Sequence, residues 1–251
     1  MRSMPVPYSD LFLTEYATID CEFPHRVADI YLAISSISEF IEPEPVDVED
    51  LLPCHSTSLV ESVQNHPEVF QIAVLSAGGA VKAAEIALYW SPFALIRPLG
   101  YHAGIDFNGG FCFFNNIAVA IRKLVVSGLI KKAPIVDIDL HYGNGTVDIF
   151  RNDPDVTFRN ISGHSRENFF TQFEAAIEDA EGFDIVACSA GFDTYMHDWG
   201  QLLLASDFKT VGARIASCHK RIFSVFEGGY YLQDLGKNVR AYPDGFLEAC
   251  S

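Results

Sequence analysis

At 251 residues, 49% hydrophobic and 20% charged, the chain has the composition of a folded globular protein and is too apolar to be disordered. Its 33 acidic and 17 basic side chains leave a formal net charge of −16, with no basic stripe of the kind a nucleic-acid backbone needs. The first twenty residues lack a continuous apolar core and no apolar run approaches the ~18–20 residues of a membrane span, so neither a secretory leader nor a membrane partner is expected, and the expected address is cytoplasmic.

Length predicts one domain over residues 1–251 with no need of a disulfide or structural metal. The six cysteines (Cys21, Cys54, Cys112, Cys188, Cys218 and Cys250) are scattered, with no C-x-x-C pair, and are expected to be buried free thiols. In chain order, a short N-terminal helical region leads into residues 41–53, IEPEPVDVEDLLP, whose prolines and acids predict a surface loop. Residues 71–87, rich in small apolar side chains, predict a close-packed buried helix. A strand is predicted at 93–98, a helix at 112–126 and a strand at 133–140. A helix at 168–180, a strand at 183–190, a helix at 207–220, a strand at 221–226 and a helix from 233 to 241 complete the pattern. Strands alternating with helices predict an α/β fold: a mostly parallel central sheet with helices on both faces. The β-branched, apolar strands suit burial on both sides.

The four strands run into R-P-L-G-Y-H, D-I-D-L-H-Y-G-N-G, S-A-G-F-D and E-G-G-Y-Y. Open α/β sheets bind ligands beyond the carboxyl ends of their strands, so His102, Asp139 with His141, Asp193 and Tyr230 are expected to converge at one edge. Asp137, Asp139 and His141 alternate and would share one side of a strand. Aspartates are seldom fully buried unless paired or metal-bound. The Asp139–His141 pair with Asp193 offers two carboxylates, one imidazole and an open fourth position, as a catalytic zinc site does, and ferrous iron fits the same donors. The alternative, weighed equally for the D-x-D-x-H run alone, is that the aspartates bond loop amides and His141 is a satisfied core histidine. A neutral His102 beside such a metal is suited to general-base work, and a Tyr230 phenol can donate to a developing oxyanion. Taken singly, each of these two residues is better explained by packing.

Five segments in order, RPLGYHAGIDFNGGFCFFNNIAVA at 97–120, DIDLHYGNGTVDIF at 137–150, ISGHS at 161–165, AGFD at 190–193 and EGGYYLQDLGKNV at 227–239, resemble the histone deacetylase superfamily, which includes the acetylpolyamine amidohydrolases. Weaker matches are FPHR at 23–26, CHSTSLVESV at 54–63 and AGGAVKAAE at 77–85. The resemblance implies an arginase/deacetylase-like fold and a zinc-dependent amidohydrolase that converts an N-acetyl amide, such as acetyl-lysine or an acetylpolyamine, to acetate and free amine. Its partner would be a small-molecule or peptide acyl-amine. One Zn2+ per chain would sit on Asp139, His141 and Asp193. His102 would be the base and acid, hydrogen-bonded by Asn144, and Tyr230, after Gly229, would polarise the carbonyl. Phe111 and Phe170 would wall the substrate channel, with Gly229 also lining it. Asp137 and Ser162 would serve a K+ site, and Phe150 would lie at a second monovalent-cation site.

The chain also departs from the pattern. Tyr101 stands where the first of two tandem histidines is usual, so that residue's contact with Asp137 is lost or remade. Tyr142 replaces a common second histidine. Residues 65–73 lack the lid aspartate that grips a peptide backbone, and TQF follows Phe169-Phe170. Trp199-Gly200 replaces a proline and a bulky apolar residue after Asp198. His25, His55, His66, His164, His197 and His219 lack the mutual spacing of a second metal site, and His197 with Asp198 is expected to be solvated rim. Two further readings compete. A two-manganese ureohydrolase would need carboxylates that cannot be placed. A catalytically inactive acyl-amine-binding member of the same fold is motivated by Tyr101 and the altered loops.

Overall fold

The computed structural model describes residues 3–16, 18–19, 21–178 and 180–249; Cys250 lies outside these. The chain opens with β1 (Met4–Pro7), α1 (Pro24–Ile34) and β2 (Ser38–Ile41), and β1 and β2 form a separate parallel pair. Two prolines in a four-residue strand hide β1 from a reading by periodicity, and its position in a two-stranded edge tolerates them. The predicted loop at 41–53 holds the last residue of β2 and one helical turn, α2 (Val48–Leu51). Then follow α3 (Thr57–Gln64) and α4 (Pro67–Ile86). By length and composition alone α4 could cross a membrane, a match the sequence reading did not anticipate, yet 67% of that window is buried inside the protein. Its residues from Ile72 to Ala77 are buried on every side, as expected for a core helix.

The remaining elements build the main sheet. They are β3 (Phe93–Ala94), α5 (Asn116–Val126), β4 (Ala133–Asp137), α6 (Asn144–Phe150), β5 (Val156–Asn160), α7 (Arg166–Ile177), β6 (Val186–Ala190), α8 (Ala205–Cys218), β7 (Ile222–Phe226) and α9 (Leu232–Ala249). The five strands run in the order β3-β7-β6-β4-β5, every pair parallel. All residues of β4, β6 and β7 are buried, as a parallel sheet with helices around it requires. The edge strand β5 buries only Val156 fully, which is why its pattern gave no strand signal. The helix predicted from residue 112 starts at Asn116, because the Asn115 side chain caps it by accepting the Ala118 N–H. Cys54, Cys112 and Cys188 are buried free thiols and Cys218 is half-buried.

Register sets the site. Asp137 pairs with Ser189, and Ala190 with Phe226. The segments leaving β4, β6 and β7 therefore start side by side at one carboxyl edge.

Candidate active site

The strand predicted at 133–140 stops at Asp137, so Asp139 and His141 do not alternate along a strand as expected. They stand on the bend that follows the strand. Asp137 Oδ1 accepts the Asp139 N–H at 3.0 Å, and Asp139 Oδ1 accepts the His141 N–H at 2.9 Å. Each carboxylate takes the amide two residues on, replacing the sheet ladder with successive Asx turns. Asp193 arrives from β6 and is tied to the same turn, its Oδ1 accepting the Leu140 N–H at 3.0 Å. From β7, the Gly228 N–H donates to Asp139 Oδ2 at 2.8 Å. A Cβ at Gly191 or Gly228 would sit 2.2 or 2.4 Å from that oxygen, so only glycine lets both chains close around it.

One ligand atom each from Asp139, His141 and Asp193 lies within 4.8 Å of the others. Both carboxylates are buried, while the His141 side chain is 40% exposed, leaving the cluster open on one side. Asp193 Oδ2 is 2.9 Å from His141 Nδ1 but makes no aligned hydrogen bond. Burial, then the charge of Asp139, pushes the Asp193 carboxyl up. Contacts with Asp139 and Asp193 push His141 up to about 10. Asp137 is raised by burial and by Asp139, and Glu227, also buried, is raised to about 8. Buried carboxylates that repel one another, with an oxygen left unpartnered, fit a divalent cation held by two carboxylates and an imidazole.

His102 follows Gly100, whose N–H is held by Glu227 Oε2 at 3.0 Å. Its Nδ1 donates to Asn144 Oδ1 at 2.6 Å, leaving Nε2 as the free ring nitrogen. Burial lowers its pKa from the usual 6.5, against the pull of Asn144. Its ring lies 6.2 Å from that of His141. Tyr230 lies within the influence of Asp139 and Asp193, and burial raises its phenol far above the usual value, so it stays protonated. Phe111, on a backbone with φ +66°, meets Tyr230 edge-on at 6.2 Å. A positive φ at a phenylalanine is strained and aims the ring at the site.

The other expected residues divide. Asp137 is buried with Oδ2 unpartnered, and its carbonyl accepts the N–H of Ile161, next to the exposed Ser162. The Ser162 N–H is bonded to Gln172. Phe150, buried at the end of α6, packs under Arg122. Phe170 packs on Phe169 and Phe173 of its own helix and beneath Arg166. Gly229 has φ +133° and its carbonyl accepts from Arg26 Nε at 2.7 Å.

Tyr101 makes a contact that its sequence position did not indicate. Its hydroxyl donates to Asp139 Oδ1 at 2.8 Å, and its ring lies against His102 at 4.0 Å, tilted by 34°. The phenol thus orients a candidate metal ligand. Tyr101→Phe is expected to lower zinc affinity about 10- to 100-fold, read by competition with a chromogenic chelator; unchanged affinity would reduce the contact to packing.

Sequence reasoning also missed Arg26, Glu227 and Asp198. Arg26 is buried, with Nη2 on the Glu227 carbonyl at 2.6 Å and its guanidinium 4.7 Å over the Tyr230 ring. Asp198 is not solvated rim: it is buried, and its Oδ2 accepts the N–H groups of Tyr230 and Tyr231 at 2.6 and 2.8 Å. Its place five residues after Asp193 was the available signal. His55 is a satisfied core histidine, with Nδ1 donating to the Gly104 carbonyl and Nε2 accepting the Asn115 N–H.

A family model for the histone deacetylase domain matches residues 21–182. An acetylpolyamine amidohydrolase of Mycoplana ramosa is 31% identical over 234 residues, covering 78% of this chain and 68% of that protein. A probable deacetylase of Methanothermobacter thermautotrophicus is 32% identical over 260 residues, covering 82% and 78%. The crystal structure of an acetylpolyamine aminohydrolase from Burkholderia pseudomallei is similar at a TM-score of 0.89, over 98% of this chain and 99% of that one, at 21% identity. The fold is therefore arginase/deacetylase-like, and the chain belongs to the histone deacetylase superfamily.

Proposed function

We propose that residues 1–251 form one catalytic domain, a zinc-dependent amidohydrolase that releases acetate from N-acetyl amines, acting on a small-molecule or peptide acyl-amine in the cytoplasm. The observation that carries this reading is the buried Asp139–His141–Asp193 cluster, open on the His141 side, with His102 and Tyr230 beside it. A deacetylase activity accords with the names of the relatives, and the chain's net charge of −16 favours a cationic amine over an anionic one.

Asp139, His141 and Asp193 would hold a dication, which would supply Lewis-acid polarisation and lower the pKa of water. His102, kept neutral by burial, accepts at Nε2 a proton from the water whose oxygen bonds the amide carbon, while Asn144 fixes its tautomer through Nδ1. The Tyr230 hydroxyl donates to the amide oxygen as negative charge develops there. His102 then returns its proton to the amine nitrogen as the C–N bond breaks, leaving acetate and free amine. Phe111 flanks the stem, with Phe170 as the other wall. Asp137, with an unpartnered buried oxygen, and Ser162 would serve K+, and Phe150 marks a second monovalent site.

Purified protein is tested for acetate release from an acetyl-lysine peptide, acetylpolyamines and N-acetyl amino acids. Release that chelation abolishes and zinc restores is the expected result. No release by zinc-loaded protein from any of them would overturn it.

A further inference from the structure

The segment after Asp193 folds back on itself. The Gly200 N–H donates to the Asp193 carbonyl at 2.8 Å, Leu203 donates to the Thr194 carbonyl at 2.9 Å, and Met196 donates to the Leu203 carbonyl at 2.8 Å. Asp198 locks it to the Tyr230 turn through the two amides described above, and its Oδ1 accepts the Trp199 N–H at 2.8 Å. The loop therefore joins a candidate metal ligand at its start to the backbone of Tyr230 near its end, and fixes where Trp199 stands.

The Trp199 indole stacks on the Tyr230 ring at 4.1 Å and 20°, and meets the His141 ring at 5.6 Å and 89°. It is nonetheless 50% exposed. Arg26, which is buried, covers the Tyr230 ring at 4.7 Å. The phenol ring is thus flanked by a buried guanidinium and a half-exposed indole. A tryptophan leaves this much apolar area in water at some cost. The indole stands against His141, the exposed member of the cluster, on the side left open. The indole cannot swing aside without giving up both ring contacts.

We propose that Trp199 is a specificity-determining residue: it forms a rigid outer wall of the acyl-amine site and selects unbranched alkyl stems on the amide nitrogen over stems branched next to it. The inference rests on the amidohydrolase reading. A linear methylene chain gains contact along the indole, whereas a branch at the first carbon must displace a side chain that its neighbours hold. Pocket differences of one methyl group typically discriminate by about 10–200-fold.

The chain has two tryptophans, so Trp90→Phe leaves Trp199 as the sole indole emitter. Zinc-loaded Trp90→Phe protein is titrated with N-butylacetamide and N-sec-butylacetamide while the emission is followed. In parallel, kcat and KM for both amides are measured in the wild type, Trp199→Ala and Trp199→Phe. The expected result is a saturable emission change at lower concentration for the linear amide. Trp199→Ala should lower kcat/KM for that amide about tenfold, mainly through KM, with little change for the branched one, and Trp199→Phe should recover part of the loss. An absent emission response, or equal losses for both amides, would overturn the proposal. Saturable emission without turnover would support the wall and overturn only the hydrolysis reading.

Discussion

Asp193→Ala is expected to abolish amide hydrolysis and to leave the purified protein without stoichiometric metal, while the fold survives. Asp193 supplies one of three candidate ligands, and two remaining donors do not make a catalytic zinc site. The substitution also leaves the part-buried Leu140 N–H without its acceptor, a cost of about 1–3 kcal/mol. Against this, it deletes a buried carboxylate that burial and Asp139 already disfavour in its charged form. The two effects oppose, so the metal-free variant should melt close to the metal-free wild type. Zinc separates them clearly: at about 100 times the dissociation constant a bound ligand stabilises by about 2.7 kcal/mol. The wild type should show that upward shift in Tm and the variant should not. Equal stabilisation of both by zinc would remove Asp193 from the ligand set. The pH dependence follows from His141. Without metal it holds a proton up to about pH 10 because of Asp139 and Asp193. Zinc must displace that proton, so affinity falls as pH falls.

Chain-order reading placed the four strands that feed the site because each is a short apolar run followed at once by glycine and a titratable residue. It failed at β1, β2 and β5, where two prolines and half-exposed edges erase the pattern. It also extended β4 three residues too far, since side-chain acceptors at Asp137 and Asp139 imitate strand alternation while ending the ladder. The candidate site residues were legible from motif and strand-end position together. Their supports were not. Arg26 reaches Glu227 and Gly229 across some two hundred residues of sequence, and Asp198 meets Tyr230 across thirty-two. No local spacing encodes such contacts. Tyr101 shows the same limit: a departure from the family pattern marked the position, but only the fold showed its hydroxyl turned to Asp139.

His102→Ala is expected to lower kcat/KM about 10²–10⁴-fold, the usual worth of a positioned general base, with zinc content unchanged because His102 is not among the clustered ligand atoms. The pH profile distinguishes a base from a packing residue. A base works when neutral, so kcat/KM rises with pH through the His102 pKa. Burial lowers that pKa from 6.5, and a nearby dication pushes it the same way, so the acid limb should lie below the ordinary histidine range. Asn144→Asp tests the sign. A carboxylate accepting from Nδ1 at the position now 2.6 Å away favours the imidazolium, raises the pKa and moves the acid limb to higher pH. The measurement is kcat/KM across pH 5–9 for the wild type, Asn144→Asp and His102→Ala, each at full zinc occupancy. In His102→Ala the limb assigned to this group should vanish along with the rate. If it persists at the same pH, the titrating group is another one and His102 is not the base. The ring contact with Tyr101 sharpens this test. Phenylalanine at 101 keeps the ring against His102 while losing the bond to Asp139. Tyr101→Phe should therefore weaken zinc binding without moving the His102 limb at full occupancy.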